Sequence, residues 1–336
     1  PTSLGGEINA ATRSLHTNLN RLITSRLPIA LPPYTTDSSL YSTGLVHFAH
    51  IFLTFESLWT DLTSPASPST EPTSPLLSFL LVNPYDNPDL FTSPPSRRML
   101  EFLRTLRPKG LARSGRLKRD LEVLLGLHPT DLSVLLAQYP GDKVAAYCNH
   151  IRQQVGRKPH VLVAYAWCFY MAVFSGGRWI RGELVKAGPQ FWLPEPSSST
   201  TNEKGSTLLS QHGLSFWNFD SDSDGEDIKS EFKARLQAAE DFFTDDERID
   251  VIEEAKEIFK RSAELVAELD EQIGTDYEAL KHVDAAQRQH MKREREAAQQ
   301  VTMQHGKAKE SVMWYKRPEI TIGALGLGLV ACAAFL

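Results

Sequence analysis

Apolar residues along this chain recur at helical spacing. In the first segment Ile8, Ala11, Leu15, Leu19 and Leu22 fall three or four apart, the pattern of a helix that turns one face to a core. The same periodicity predicts helices over about 7–26, 40–61, 96–106, 114–126, 130–138, 141–155, 160–186, 226–239, 244–272 and 276–312. Pro28, Pro32 and Pro33 end the first of these, since a proline ring removes a donor and clashes with the preceding turn. No stretch alternates apolar and polar residues for the length of a strand, so the expected fold class is all-α. Residues 61–75 and 194–206 are rich in Ser, Thr and Pro and poor in core-forming residues, and are expected to be disordered insertions.

The pattern changes beyond residue 274. Residues 276–312, with Lys292-Arg-Glu-Arg-Glu296 and Gln/Ala-rich neighbours, are polar on nearly every side, which suits an exposed stalk. An apolar run of 17 residues, Ile320 to Leu336, follows Pro318. As a helix it would span about 26 Å, the low end for a bilayer core. Lys316 and Arg317 on its N-terminal flank place that side in the cytosol. The expected organisation is a helical domain at 1–274, a polar stalk at 275–317 and a membrane anchor at 318–336; the alternative for the last is a buried terminal helix.

Composition narrows the functional classes. The chain has 336 residues, 41% of them hydrophobic, enough for a sizeable core. A net charge of −5 argues against general nucleic-acid binding. Cys148, Cys168 and Cys332 lack metal-ligand spacing and suit a reducing compartment.

Candidate chemistry centres on two places. Ser175-Gly176-Gly177 interrupts the apolar 160–186 helix. Glycine costs a helix roughly 1 kcal/mol relative to Ala, so the pair implies either a tight helix crossing or a bent helix whose bare backbone admits something flat. His16 lies at the edge of the first apolar stripe, where it is either a hydrogen-bonded interior residue or an imidazole aimed into a cleft, able to ligate iron. His47 and His50, three apart, lack acidic or Cys partners for a metal and read as ordinary histidines. His160 reads as a helix-boundary residue and Asp142 as an acid near a helix start. Arg178 and Arg181 are open between a ligand or partner contact and plain surface, and the acidic turn Asp220 to Asp227 is expected to be a solvated loop.

Along most of residues 7–273 the chain resembles the heme oxygenases. Ala11-Thr-Arg-Ser-Leu-His-Thr17 is similar to the family's proximal helix, whose histidine is the axial ligand of heme iron; the resemblance gives that role to His16. Val155 to Trp167, then Tyr170 and Ser175-Gly176-Gly177, is similar to the distal helix, whose glycine kink lies over the heme face. Gly213 to Phe219, Lys229 to Arg235 and Val251 to Phe259 resemble a third block, in which basic residues reach the heme propionates; Lys229, Lys233 and Arg235 occupy those places. Trp167 stands where the family has a tyrosine facing a propionate.

One departure bears on activity. The family has Gly-Asp just before the residue preceding the serine, and that Asp organises distal water; here the positions are Ala172 and Val173. A carboxylate can hold waters that deliver protons, and valine cannot. What the resemblance implies is therefore either an oxygenase that converts heme b to biliverdin, iron and carbon monoxide with O2 and electrons from an NADPH reductase, or a non-catalytic heme-binding protein of the same fold. It also implies a tail anchor, the domain in the cytosol, and the endoplasmic reticulum as the membrane.

Overall fold

The computed structural model describes residues 3–64, 96–192, 209–210, 213–276 and 281, which are helical with no strand among them. Contacts divide the chain into Pro1–Thr275 and Asp276–Leu336, and the helical core lies in the first unit. The apolar C-terminal run, the insertion at 194–206, residues 65–75 and all but two residues of 276–312 lie outside the described residues.

Helix α1 (Leu4–Arg26) begins where the Ser3 hydroxyl accepts the Gly6 N–H at 3.1 Å. Helix α2 (Ser39–Thr63) is central; its apolar residues extend round most of its surface, and Ala49, Ile51 and Phe55 are fully buried. It continues through 61–63, where an insertion was expected to begin. Around it pack α3 (Arg97–Leu106), α4 (Ser114–Leu125) and α6 (Asp142–Arg157), with α5 (Pro129–Leu136) beside α4. The first N–H groups of α6 are taken by Glu268 (2.7 Å from Lys143, 3.3 Å from Val144), so a carboxylate from another helix caps it, with Asp142 in its first turn.

The expected helix at 160–186 is two. Residues 162–174 form α7, which contains a π turn at Ala166–Tyr170, and Gly176–Lys186 form α8. The two are bent by 43° about Ser175. Together they are long and apolar enough to suggest a broken membrane span, but residues 161–166 are among the most buried in the core. Among the described residues no single helix is long and apolar enough to cross a membrane.

A short helix α9 (Pro189–Trp192) follows, then α10 (Glu226–Ala238) and α11 (Asp245–Ile273), the last opened by a capping box between Thr244 and Glu247. Helices α1 and α11 lie side by side in the same direction. Arg248 pairs with Glu7 at 2.9 Å at one end, and Arg26 grips Asp270 through Nε at 2.8 Å at the other.

Arg113 ties the site-bearing half of this bundle together. It is 0% exposed, and burial pulls its pKa down to about 10. Its Nε donates to the Leu111 carbonyl (2.9 Å), Nη1 to those of Phe216 (3.3 Å) and Asn218 (2.7 Å), and Nη2 to Gly110. The guanidinium lies 4.2 Å from the centre of the Phe219 ring. Buried Glu56 of α2 receives the N–H groups of Arg113 (2.8 Å) and Ser114 (2.9 Å) and the Tyr170 hydroxyl (2.9 Å). Replacing Arg113 with Met strands four carbonyls and leaves Glu56 without its nearby buried cation. The expected result is a loss of at least about 3 kcal/mol in urea unfolding of residues 1–275; a midpoint close to wild type would show that the residues 213–219 are held by other means.

Candidate functional site

The two glycines of the kink have different jobs. A Cβ on Gly177 would stand 3.0 Å from Cε3 of Trp217, so this glycine permits a tight crossing. A Cβ on Gly176 would meet nothing within 4 Å. Gly176 belongs to a stripe at spacings of three and four that is open to solvent: half-buried Cys168, then exposed Ala172, Ser175, Gly176 and Trp179. The tight crossing is thus made at Gly177, while Gly176 leaves the backbone bare on the open side. Val173 is 3% exposed and Phe174 fully buried, on the opposite, core side of the helix.

His16 is exposed on α1 and not an interior residue. Its ring meets Phe259 of α11 edge to face, with centroids 5.7 Å apart and planes at 80°. Phe259 lies within the third sequence block, but periodicity alone could not single it out beside His16.

Trp167 of α7 stands between α1 and α10. A Cβ on Gly5 would lie 2.8 Å from Cζ3 of its indole and nearer still to Cη2 and Cζ2, so the ring fills the space a side chain on Gly5 would need. Its Nε1 donates to Asn9 Oδ1 at 2.9 Å. Phe232 of α10 lies beneath it at 6.3 Å, and the Lys233 ammonium sits 5.9 Å from the ring centre. An open pocket of about 220 Å³ adjoins the indole, lined by Ser3, Gly6, Asn9, Lys233, Gln237 and Glu240 among others.

The basic residues of α10 do not act as one set. Lys229, half-buried and 3.4 Å from Glu226, and Lys233 are one turn apart on the same face. Arg235 is two residues on, about 200° round the helix. Its guanidinium donates to the Thr105 carbonyl of α3 and to Glu231, which removes it from the expected carboxylate-binding group.

The acidic turn is solvated at Asp220, Asp222 and Asp227 but engaged at Asp224 and Glu226. Asp224 takes both Nη atoms of Arg181 (2.7 and 2.6 Å), and Glu226 pairs with Arg178 at 2.7 Å. The Arg181 hydrogen bonds hold the Asp224 carboxyl below its ordinary range. Arg178 and Arg181 are thus occupied in pinning α8 to the start of α10.

Behind α7 lie buried polar groups that face away from the open stripe. The Tyr165 hydroxyl donates to Glu254, which also bonds His150 Nε2 at 2.9 Å. Burial raises the phenol pKa of Tyr165 and Tyr170 well above 10, so both are donors at neutral pH. His47 spans the Thr43 carbonyl (2.9 Å) and Gln272 (3.0 Å), and His160 bonds Asp250 at 3.0 Å. His50 is fully buried against Tyr139. Among the described residues no cluster of His, Cys, Asp and Glu could hold a metal ion.

The arrangement can receive a planar apolar molecule with an acidic edge. An exposed imidazole and a phenyl edge stand on α1 and α11, a stripe of small residues lines α7 and α8, and two lysines stand on α10. The glycines separate folding from binding: Gly177→Leu should lower the melting temperature by several degrees through the clash with Trp217. Gly176→Leu should leave it unchanged or raise it, because helix propensity improves with no steric penalty. Equal effects in thermal unfolding would contradict this division.

A family model described as heme oxygenase matches residues 97–268. The Saccharomyces cerevisiae protein called heme-binding protein HMX1 is 22% identical over 281 residues, 81% of this chain and 77% of its own length. A Takifugu rubripes heme oxygenase is 25% identical over 166 residues, about half of each protein (49% and 51%). The fold is similar to that of heme oxygenase-2 from Synechocystis in complex with heme and NO, with a TM-score of 0.57, 14% identity and coverage of 84% of this chain and 92% of that one. It is similar too to heme oxygenase 2 from Chlamydomonas reinhardtii without heme, at a TM-score of 0.55 and 16% identity over 79% and 97% of the two chains. With more than half of the chain matched by the family and the all-α fold shared, this protein belongs to the heme oxygenase family.

Proposed function

We propose that this chain binds heme between α1 and the α7–α8 kink and opens the ring oxidatively to biliverdin, Fe(II) and carbon monoxide, with O2 and electrons from an NADPH reductase. The observation that carries the reading is an exposed imidazole, His16, on a helix that the Trp167 indole joins to the one bared at Ala172 and Gly176. The donor set fits heme: an imidazole for iron, apolar and small side chains for the ring, and ammonium groups for its carboxylates.

When bound, heme supplies both the iron at which dioxygen is reduced and the ring carbon that is oxidised. His16 would hold the iron, and the small residues Ala172 and Gly176 would leave room beside the ring. Lys229 and Lys233 would hold the propionates and so orient the ring. Ser175 places a hydroxyl on the open stripe, where its Oγ can hold solvent water. Val173 offers no carboxylate to order that water.

Val173 also favours a second reading, in which heme is bound but not cleaved, as in a carrier or sensor. Titration with hemin should give a Soret band that shifts in His16→Ala, and Lys229→Ala/Lys233→Ala should bind more weakly. Addition of ascorbate or a reductase should then bleach the Soret band and release biliverdin. A stable ferrous spectrum would select the binding protein, and an unchanged spectrum in His16→Ala would refute the ligand assignment. In the oxygenase reading Val173→Asp should raise biliverdin yield while lowering the melting temperature, because the new carboxylate enters a site 3% exposed.

The apolar run at 320–336 supports attachment to a membrane, the endoplasmic reticulum in this reading, with the helical domain in the cytosol. The full chain should resist carbonate extraction and become extractable when that run is deleted; extraction of the intact chain would refute the anchor.

A further inference from the structure

We infer that Trp167 is a positioning residue of the cleft, a latch that ties α1 to α7 and sets how far the His16 face stands from the Gly176 face. The inference rests on the heme-binding reading for its functional consequence, but the latch itself is a property of the free protein. The place is one where the family resemblance puts a side chain that donates to a heme carboxylate, and the geometry here assigns it other work.

The indole N–H is taken by Asn9 Oδ1 at 2.9 Å. The six-membered part of the ring fills the slot left by the missing side chain of Gly5, and the whole residue is 8% exposed. Phe232 supports it from α10. The ion pairs of α1, Glu7–Arg248 and Arg26–Asp270, attach that helix to α11. They hold it lengthwise, and α11 in turn packs on the first turn of α7. The indole is wedged directly between α1 and α7, seven residues before His16 at Asn9 and nine before Gly176 along the chain. A large flat ring pinned at one end of two helices acts at a distance: a small tilt at the wedge becomes a larger displacement at His16, about 10 Å further along α1. The carboxylate-binding part then falls to lysine. Lys233 lies over the outer face of the same indole, so the latch also holds that ammonium beside the pocket.

The test compares Trp167→Phe, which keeps an aromatic ring but removes the N–H and the atoms that touch Gly5, with Gly5→Ala, which wedges the native indole. Hydrogen exchange of the α1 amides is measured without ligand, and binding is measured with hemin and with its dimethyl ester, which has no free carboxylates. A latch predicts faster exchange in α1 of ligand-free Trp167→Phe, and a loss of affinity by a similar factor, about tenfold, for hemin and for the ester. Gly5→Ala should weaken binding in the Trp167 background and be nearly silent in Trp167→Phe, since the two residues share one contact. If exchange in α1 is unchanged and only hemin loses affinity, Trp167 is a carboxylate donor and the inference is overturned. Unchanged exchange with unchanged binding overturns it too. Faster exchange in a protein whose wild type binds neither ligand would uphold the latch and refute the heme-binding reading.

Discussion

The buried guanidinium of Arg113 is the constraint on which the ligand side of this bundle depends. A charge with no exposure is costly unless every donor is met. Here four hydrogen bonds meet it, to the carbonyls of Gly110, Leu111, Phe216 and Asn218. The price of burying the charge is offset by a connection that helices alone would not make: an irregular stretch is fastened to the start of α4, and Trp217 of that stretch packs on Gly177. Asp120 reinforces it by accepting the N–H groups of Ser215 (3.0 Å) and Phe216 (2.6 Å). Glu56 links the same hub to Tyr170 on α7. The kink is thus held from behind by buried polar groups and by Trp217, which leaves its other side free of structural duties.

That division explains why so much of α7 and α8 can be left bare. The open face carries Ala172, Ser175, Gly176 and Trp179. The helix can tolerate the exposure because its core side is firmly packed: Phe55, Tyr165 and Phe169 stack on one another, and Phe174 lies on Phe219 with ring centres 4.5 Å apart. The opposing helix α1 is anchored chiefly to α11. The α11 helix packs on both α1 and the first turn of α7, and Trp167 adds a direct contact between those two.

Much of the helical framework was legible in the sequence because amphipathic periodicity is a strong local signal. Predicted and observed ends agree within about three residues for α1, α2, α3, α4, α6, α10 and α11. What escaped was non-local. The π turn at 166–170 carries no period of its own and lies within an unbroken apolar run. Arg113 looks like any basic residue ahead of a helix, and its burial depends on carbonyls a hundred residues away. The acidic turn at 220–227 was read as solvated because its arginine partners lie on α8, some forty residues earlier. Arg235 shared a segment with Lys229 and Lys233 but not a face, which a helical projection does distinguish. The candidate site was legible in its local motifs, His16 and Gly176, and illegible where it depends on packing, at Phe259 and in the Gly5–Trp167 contact.

The position of Val173 gives its side chain a double meaning. On the core side of α7, a valine helps to close the interior behind the open stripe, and a carboxylate buried there would need hydrogen-bond partners. The polar groups that do lie behind the helix are already committed: Glu56 to Tyr170 and two backbone N–H groups, and Glu254 to Tyr165 and His150. Ordering of water at the kink must then come from the open side, from Ser175 and the backbone bared at Gly176. Such water exchanges with solvent more readily than water held by a buried acid. The packing that makes this half of the bundle rigid therefore leaves polar chemistry at the kink to its open side, and a polar substitution at residue 173 will cost stability.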